Sequence, residues 1–205
     1  MSADRRTAAS LGYVLSGTRA VVVFSLILFY AVELPTGRLH VFGPLSDIGT
    51  VGWDLLFVPL AWGLGRSLFA AGAGRAVTIG VVMVSLCGAV SSALLVAKAL
   101  SFGPSTTVSV LAVLSQSLWL YMVSGRLRED PSWGSSLVRL GLLMSIGQAF
   151  GAVLFGISLI FGWGSWPQLT IMLVGLVPGV LAWAAWPVWF ALVARRLQIS
   201  VPSPS

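Results

Sequence analysis

A carboxyl group inside an apolar stretch raises the first chemical question about this chain. Asp54 stands in GTVGWDLLFVPLAWG, residues 49–63, shortly before Pro59. A charged side chain at the centre of a membrane costs roughly 2.5–3.5 kcal/mol on insertion scales, so such groups usually face the interior of a helix bundle. Protonation, pairing with a cation or contact with water would relieve that cost. Asp54 is therefore predicted to be either a structural polar group or a site for a substrate, an ion or a proton.

Lys98 and Glu33 are the candidate partners of Asp54 in this intramembrane polar site. Lys98 follows a stripe of small residues in the third apolar segment and lies near its outer end. Its ammonium group either bends inward to Asp54 or Glu33, or extends into the lipid head groups, as lysines near helix ends do. Pro59 removes the hydrogen bond to the carbonyl of Leu55, and that freed carbonyl is expected to line a small polar cavity beside Asp54.

Trp183 and Trp186 are the candidate walls of a ligand pocket. Trp183 lies about 18 Å from Arg195 along the helix, which is too deep for the aromatic belt at a membrane surface. Pro178 and Pro187 bracket the two tryptophans and predict a kinked helix, which favours an apolar pocket. The alternative is that both side chains pack against neighbouring helices.

Other polar and small residues indicate helix packing. Gln116 and Gln148 fall near mid-depth, where an amide usually forms a hydrogen bond to a neighbouring helix. Two glycine pairs have the GxxxG spacing that allows two helices to approach closely: Gly147 with Gly151, and Gly175 with Gly179.

The sequence contains no familiar catalytic signature. HExxH, GxSxG and GxxxxGK[ST] are all absent, and His40 is the only histidine. Cys87 is the only cysteine, so it has no second thiol for a disulfide or a thiolate metal site. Six scattered acids do not form the paired carboxylates that hold a catalytic cation. We therefore predict that the chain is not an enzyme and that it binds no cofactor or metal.

The elements that position these residues are predicted to be membrane-spanning helices. Apolar residues make up 57% of the 205 residues and charged residues only 9%, against about 25% in soluble domains. Each span needs about 20 residues, which leaves room for about six spans. The apolar segments are 17–34, 48–70, 76–99, 104–124, 137–161 and 168–194. We expect an all-α polytopic bundle that forms a single domain over residues 1–199, followed by a disordered tail over residues 200–205.

The orientation follows from the basic residues, because short cytoplasmic loops retain arginine and lysine. With the N-terminus inside, Arg38 and Lys98 are the two basic residues assigned to the outer side. The other ten are assigned to the cytoplasmic side: Arg5, Arg6, Arg19, Arg66, Arg75, Arg126, Arg128, Arg139, Arg195 and Arg196. This distribution predicts an even number of spans with both termini in the cytoplasm.

Two passages carry a resemblance to other proteins. Phe42-Gly-Pro-Leu-Ser-Asp47 leads into the second segment, and Pro187-Val-Trp-Phe-Ala-Leu-Val-Ala-Arg-Arg-Leu197 closes the last one. They resemble passages in a broad set of uncharacterised bacterial six-helix integral membrane proteins. The resemblance implies a bacterial cytoplasmic membrane and carries over no active residue.

Two classes of function remain open for such a chain. The first is a structural, accessory or regulatory subunit, whose partners are the lipid bilayer and another membrane protein. The alternative is a small transporter or binder of an apolar or cationic molecule. The basic residues, which give a formal net charge of +6, are scattered singly and in pairs, so the chain is not expected to bind nucleic acid.

Overall fold

The computed structural model describes residues 2–33, 36, 41–158, 160–161 and 165–199. Within these ranges the chain forms seven α-helices and no strand. The helices are α1 (Ser2–Leu28), α2 (Phe42–Leu68), α3 (Ala73–Val96), α4 (Phe102–Leu127), α5 (Ser135–Ser158), α6 (Trp166–Ala184) and α7 (Trp186–Ile199). A π-helical turn, Phe29–Glu33, extends α1, and a 3-10 turn, Pro131–Trp133, precedes α5. The predicted tail, residues 200–205, lies outside the described ranges.

Six spans in the described chain are long and apolar enough to cross a membrane. They are Thr7–Glu33, Phe42–Leu68, Ala73–Val96, Gly103–Leu127, Ser135–Ser158 and Trp166–Gln198. The prediction of an all-α, six-span, multi-pass membrane protein is confirmed. Helices suit this environment because each satisfies its own backbone hydrogen bonds where no water can do so.

The first span begins about ten residues earlier than the segment predicted from residue 17. It starts at Thr7, so Arg19 falls near the middle of the span instead of at its cytoplasmic edge. The assignment of Arg19 to the cytoplasmic loops is therefore wrong. The stretch from Ala8 to Thr18 mixes serine, threonine and glycine with apolar side chains, yet it continues the helix.

The sixth span consists of two helices that meet at Ala185. Pro178 lies inside α6, and Pro187 occupies the first turn of α7, where its missing N–H removes no helical hydrogen bond. The break confirms the predicted irregularity between the two prolines. It also separates the packing of the two halves, since α6 packs chiefly along α5 and α7 packs chiefly along α1.

The six spans form a closed ring in which each packs against its neighbours in sequence, and α7 returns to α1. Close contacts come from glycine. A Cβ atom added to Gly151 of α5 would lie 2.6 Å from the Cα of Gly179 and 2.9 Å from the carbonyl oxygen of Gly175, both in α6. The predicted contact between helices with GxxxG spacing is thus confirmed for α5 and α6.

One end of the bundle contains the start of α1 and the end of α7, and we call it the terminal end. There Tyr13 donates a hydrogen bond to Gln198 (3.2 Å), and Arg196 donates to the carbonyl of Ser132 in the turn before α5 (3.2 Å). The helix ends place nine basic residues at this end: Arg5, Arg6, Arg66, Arg75, Arg126, Arg128, Arg139, Arg195 and Arg196. Lys98 lies at the opposite end, and Arg38 lies outside the described residues.

An aromatic cluster fills the bundle interior. Its members are Trp53, Phe57, Trp119, Trp186, Trp189 and Phe190, all at most 1% exposed. Their ring centroids lie 5.1–6.5 Å apart in mostly edge-to-face arrangements, the geometry that aromatic quadrupoles favour. This cluster forms one wall of the polar site described next.

Candidate functional site

Arg19 is the central residue of the polar site. Its side chain is 3% exposed, and the guanidinium carbon lies 4.4 Å from the ring centroid of Trp53 and 4.1 Å from that of Trp183. Helices α1, α2 and α6 therefore meet through one cation between two indole rings. A desolvated cation–π contact contributes about 2 kcal/mol or more, which offsets part of the cost of burying the charge.

Asp54 is the buried acid of the same site. Its side chain points into the bundle and is 5% exposed. One carboxylate oxygen, Oδ1, accepts a hydrogen bond from Nε2 of Gln116 in α4 (3.3 Å), and the same nitrogen donates to Oγ of Ser85 in α3 (3.4 Å). The other oxygen, Oδ2, lies 2.8 Å from the position that a Cβ atom on Gly88 would take. Gly88 thus allows α3 to approach the carboxylate closely.

Arg19 and Asp54 lie close enough for their charges to attract each other. They are not joined by an ion pair, because the one ion pair among the described residues links Arg126 to Glu129 at the surface. The bundle therefore contains a buried guanidinium and a buried carboxyl group held by neutral neighbours, namely two indole rings around Arg19 and the amide of Gln116 beside Asp54.

The structure does not bring Lys98 to this site. Lys98 is exposed in the turn after α3, where it adopts a left-handed backbone conformation with φ of 57°. Its exposure fits the alternative in which the ammonium group reaches the lipid head groups. The structure therefore does not support the predicted Asp54–Lys98 pair. The basic residue near Asp54 is Arg19.

Glu33 has a separate, structural role. Its side chain is 4% exposed, and Oε2 accepts hydrogen bonds from the backbone N–H groups of Val41 (3.0 Å) and Phe42 (2.6 Å). These groups stand at the start of α2, where backbone donors have no partner within the helix. Glu33 therefore caps α2. The three residues of the predicted polar site, Asp54, Lys98 and Glu33, do not come together in the structure.

Trp183 and Trp186 make separate packing contacts. Trp186 is 0% exposed, stacks on Phe190 with centroids 5.1 Å apart, and donates from Nε1 to Oε1 of Gln148 (3.0 Å). Trp183 instead covers the guanidinium of Arg19. Both side chains follow the packing alternative.

Two cavities, of about 600 and 440 Å³, lie at the terminal end, and neither is lined by Trp183 or Trp186. Pro59 lines the smaller cavity, whereas Asp54 does not. The expected polar cavity beside Asp54 is thus not among them, because Pro59 is exposed on the outer side of α2 and Asp54 faces inward.

Several buried donors of the interior have no hydrogen-bond partner among the described residues. They are Nε of Arg19, Nε1 of Trp119, Nε1 of Trp189, Nε2 of Gln148 and Oγ of Ser124. Ser124 and Trp189 meet at Gly141, since an added Cβ there would contact both. Four of the five atoms can only donate, so the interior has a surplus of donors.

Arg19 is the functional candidate that sequence reasoning missed. It lies within the predicted segment 17–34, yet its position near the start of that segment made it resemble a flanking charge. One signal was available: Arg19 is the only charged residue between Thr7 and Val32, and the 27 residues of the span Thr7–Glu33 extend about 40 Å as a helix, enough to place Arg19 at mid-depth.

Within the described ranges, no three residues of histidine, cysteine, aspartate or glutamate come together as metal ligands. Cys87 is exposed, and His40 lies outside those ranges. Comparisons of the chain with family models, with curated proteins and with solved structures find no match.

Proposed function

We propose that this chain is a noncatalytic accessory or regulatory protein of a bacterial cytoplasmic membrane, with both termini in the cytoplasm. The orientation is supported by the nine basic residues at the terminal end, because cytoplasmic loops retain positive charge. The bacterial origin is supported by the resemblance of the two passages to bacterial six-helix proteins. All but one of the twelve basic residues are arginine, which fits a GC-rich bacterial genome.

The observation that carries the proposal is the uneven burial of the six spans. In its most apolar stretch the sixth span is 17% buried within the bundle and the first is 24% buried, against 33–39% for the other four. Helix α6 packs chiefly on α5, so large apolar side chains such as Leu173, Val177 and Leu181 are at least 57% exposed. We define the α1/α6 face as the exposed sides of α1 and α6, two helices that contact each other through Arg19 and Trp183.

The α1/α6 face suits a transmembrane helix of a partner protein. Helix association in a membrane depends on van der Waals contact and on polar groups near the interface. This face offers broad apolar contact, and the buried guanidinium of Arg19 lies where α1 contacts α6, against Trp183. The closed interior, in which Arg19 and Asp54 are at most 5% exposed, favours a function carried out at the surface.

Native mass spectrometry of the gently extracted protein tests this function. The proposal predicts the chain in a stoichiometric complex with one protein partner. A chain that carries only lipid after the mildest extraction from its own host would contradict the accessory role.

The buried Arg19 supports a second candidate function, the binding or transport of a small molecule. Nε of Arg19 has no hydrogen-bond partner in the part of the chain that the structure describes, so an oxygen-bearing ligand would complete the site. The N–H donor at Nε of Arg19 favours a ligand with carbonyl or anionic oxygens, whereas the sequence predicted an apolar or cationic molecule. Denaturing the purified protein and identifying the released small molecules separates this candidate from the first, because the accessory role predicts no stoichiometric small molecule.

A further inference from the structure

The larger cavity, of about 600 Å³, lies between the end of α4 and the start of α5 at the terminal end. Its apolar lining comes from Leu127, Val138 and Leu142, and its charged rim carries Arg128 and Arg139. Both arginines are exposed, so their guanidinium groups are available to a ligand that enters from the membrane surface. An apolar interior with a cationic rim matches a molecule that is anionic at one end and apolar at the other.

The charge balance of the rim is positive despite one acid. Asp130 also lines the cavity, and the backbone N–H of Ser132, which donates to its Oδ1 (3.0 Å), holds the pKa of that carboxyl below its usual value. The carboxylate is thus charged at neutral pH and already accepts a hydrogen bond. Two arginines and one aspartate leave an excess of one positive charge on the rim. The guanidinium of Arg196 adds a further positive charge nearby, since it lies beside Gly134, another residue of the lining.

An apolar stripe on α5 leads from the rim toward the middle of the membrane. Leu143, Ile146 and Phe150 follow Arg139 at intervals of four, three and four residues, which places all four on one face of the helix. These three side chains are 70%, 60% and 48% exposed. An acyl chain would therefore run along this stripe while its phosphate contacts Arg139. The stripe favours a lipid over a free phosphate ion.

We propose that the cavity between α4 and α5 binds the head group of an anionic phospholipid, with Arg128 and Arg139 contacting the phosphate and an acyl chain lying on Leu143 and Ile146. Basic pockets between transmembrane helices are a known type of site for anionic lipid head groups. The site is independent of the α1/α6 face, so either proposal can fail without the other.

The test compares binding of phosphatidylglycerol and phosphatidylcholine with the same acyl chains to the full-length protein in detergent, measured by native mass spectrometry. Wild-type protein should prefer phosphatidylglycerol. At about fivefold per arginine, Arg128→Gln combined with Arg139→Gln should weaken phosphatidylglycerol binding about 25-fold and leave phosphatidylcholine binding unchanged. Arg139→Glu, which reverses one charge and keeps Arg128, provides a second variant and should also remove the preference.

The matched control is Arg66→Gln combined with Arg75→Gln, which removes the same charge from exposed positions at the same end, on α2 and α3. It should retain the preference for phosphatidylglycerol. If both double variants lose phosphatidylglycerol binding to the same extent, the binding reflects general electrostatic attraction and the proposal is overturned. Competition by glycerol phosphate at concentrations equal to those of the lipid would also overturn it, because the site would then recognise a free phosphate.

Discussion

At the scale of single residues, the interior depends on how one buried cation is accommodated. Arg19 forms no ion pair with any described residue, yet it is covered by two indole rings and lies near the carboxyl group of Asp54. A buried charge that loses its opposite neighbour becomes uncompensated, and removing one partner of a buried pair typically costs 3–5 kcal/mol. The two residues should therefore depend on each other for stability.

A double-mutant cycle measures that dependence. We expect Arg19→Gln and Asp54→Asn each to lower the free energy of unfolding, by up to about 3–5 kcal/mol, and the double variant to lose much less than the sum. Thermal unfolding of the four proteins in detergent gives the comparison. Lys98→Gln serves as the control and should change stability by less than about 0.5 kcal/mol, because Lys98 is exposed. Additive effects of Arg19→Gln and Asp54→Asn would show that the two charges act separately.

At the scale of helices, close packing of α5 on α6 rests on glycine. A Cβ atom on Gly151 would meet backbone atoms of Gly179 and Gly175, which cannot rotate away as a flexible side chain can. Gly151→Ala should therefore separate the two helices and cost about 1–3 kcal/mol, measured by thermal unfolding.

Gly156→Ala is the matched control for that change. Gly156 lies five residues further along α5, and a Cβ atom there would have nothing within 4 Å. The substitution should be neutral or slightly stabilising, since alanine favours a helix more than glycine does. If Gly151→Ala is as harmless as Gly156→Ala, the close contact between α5 and α6 does not hold them together.

The helices themselves could be predicted from composition, whereas the partners of the charged residues could not. Apolar runs identify the spans because lipid demands them, and the GxxxG spacing indicated the contact at Gly151. The contact between Arg19 and Trp183 depends on which spans become neighbours around the ring. The pairing of Lys98 with Asp54 was predicted from the position of Lys98 along its own segment, which contains no information about helix rotation or neighbour order. Glu33 was misassigned for a related reason, since its role depends on a turn of the backbone that returns to the start of α2.

At the scale of the whole molecule, the orientation is a testable prediction. Reporter fusions after Arg128 and at the C-terminus should report the cytoplasm, and a fusion near Arg38 should report the outer side, because positive charge is retained in cytoplasmic loops. With Arg19 inside the membrane, nine basic residues are still assigned to the cytoplasmic side and two to the outer side, so the expected orientation is unchanged. A C-terminal reporter on the outer side would contradict both the orientation and the span count.

The central claim is that the α1/α6 face binds a transmembrane helix of a partner protein, and site-specific photo-crosslinking in the native membrane tests it most directly. A photoreactive residue at Val177, which is 62% exposed on α6, should give one defined protein adduct. The same residue at Leu143, which is 70% exposed on α5, is the control and should give lipid adducts alone. Lipid adducts alone at both positions would contradict the claim.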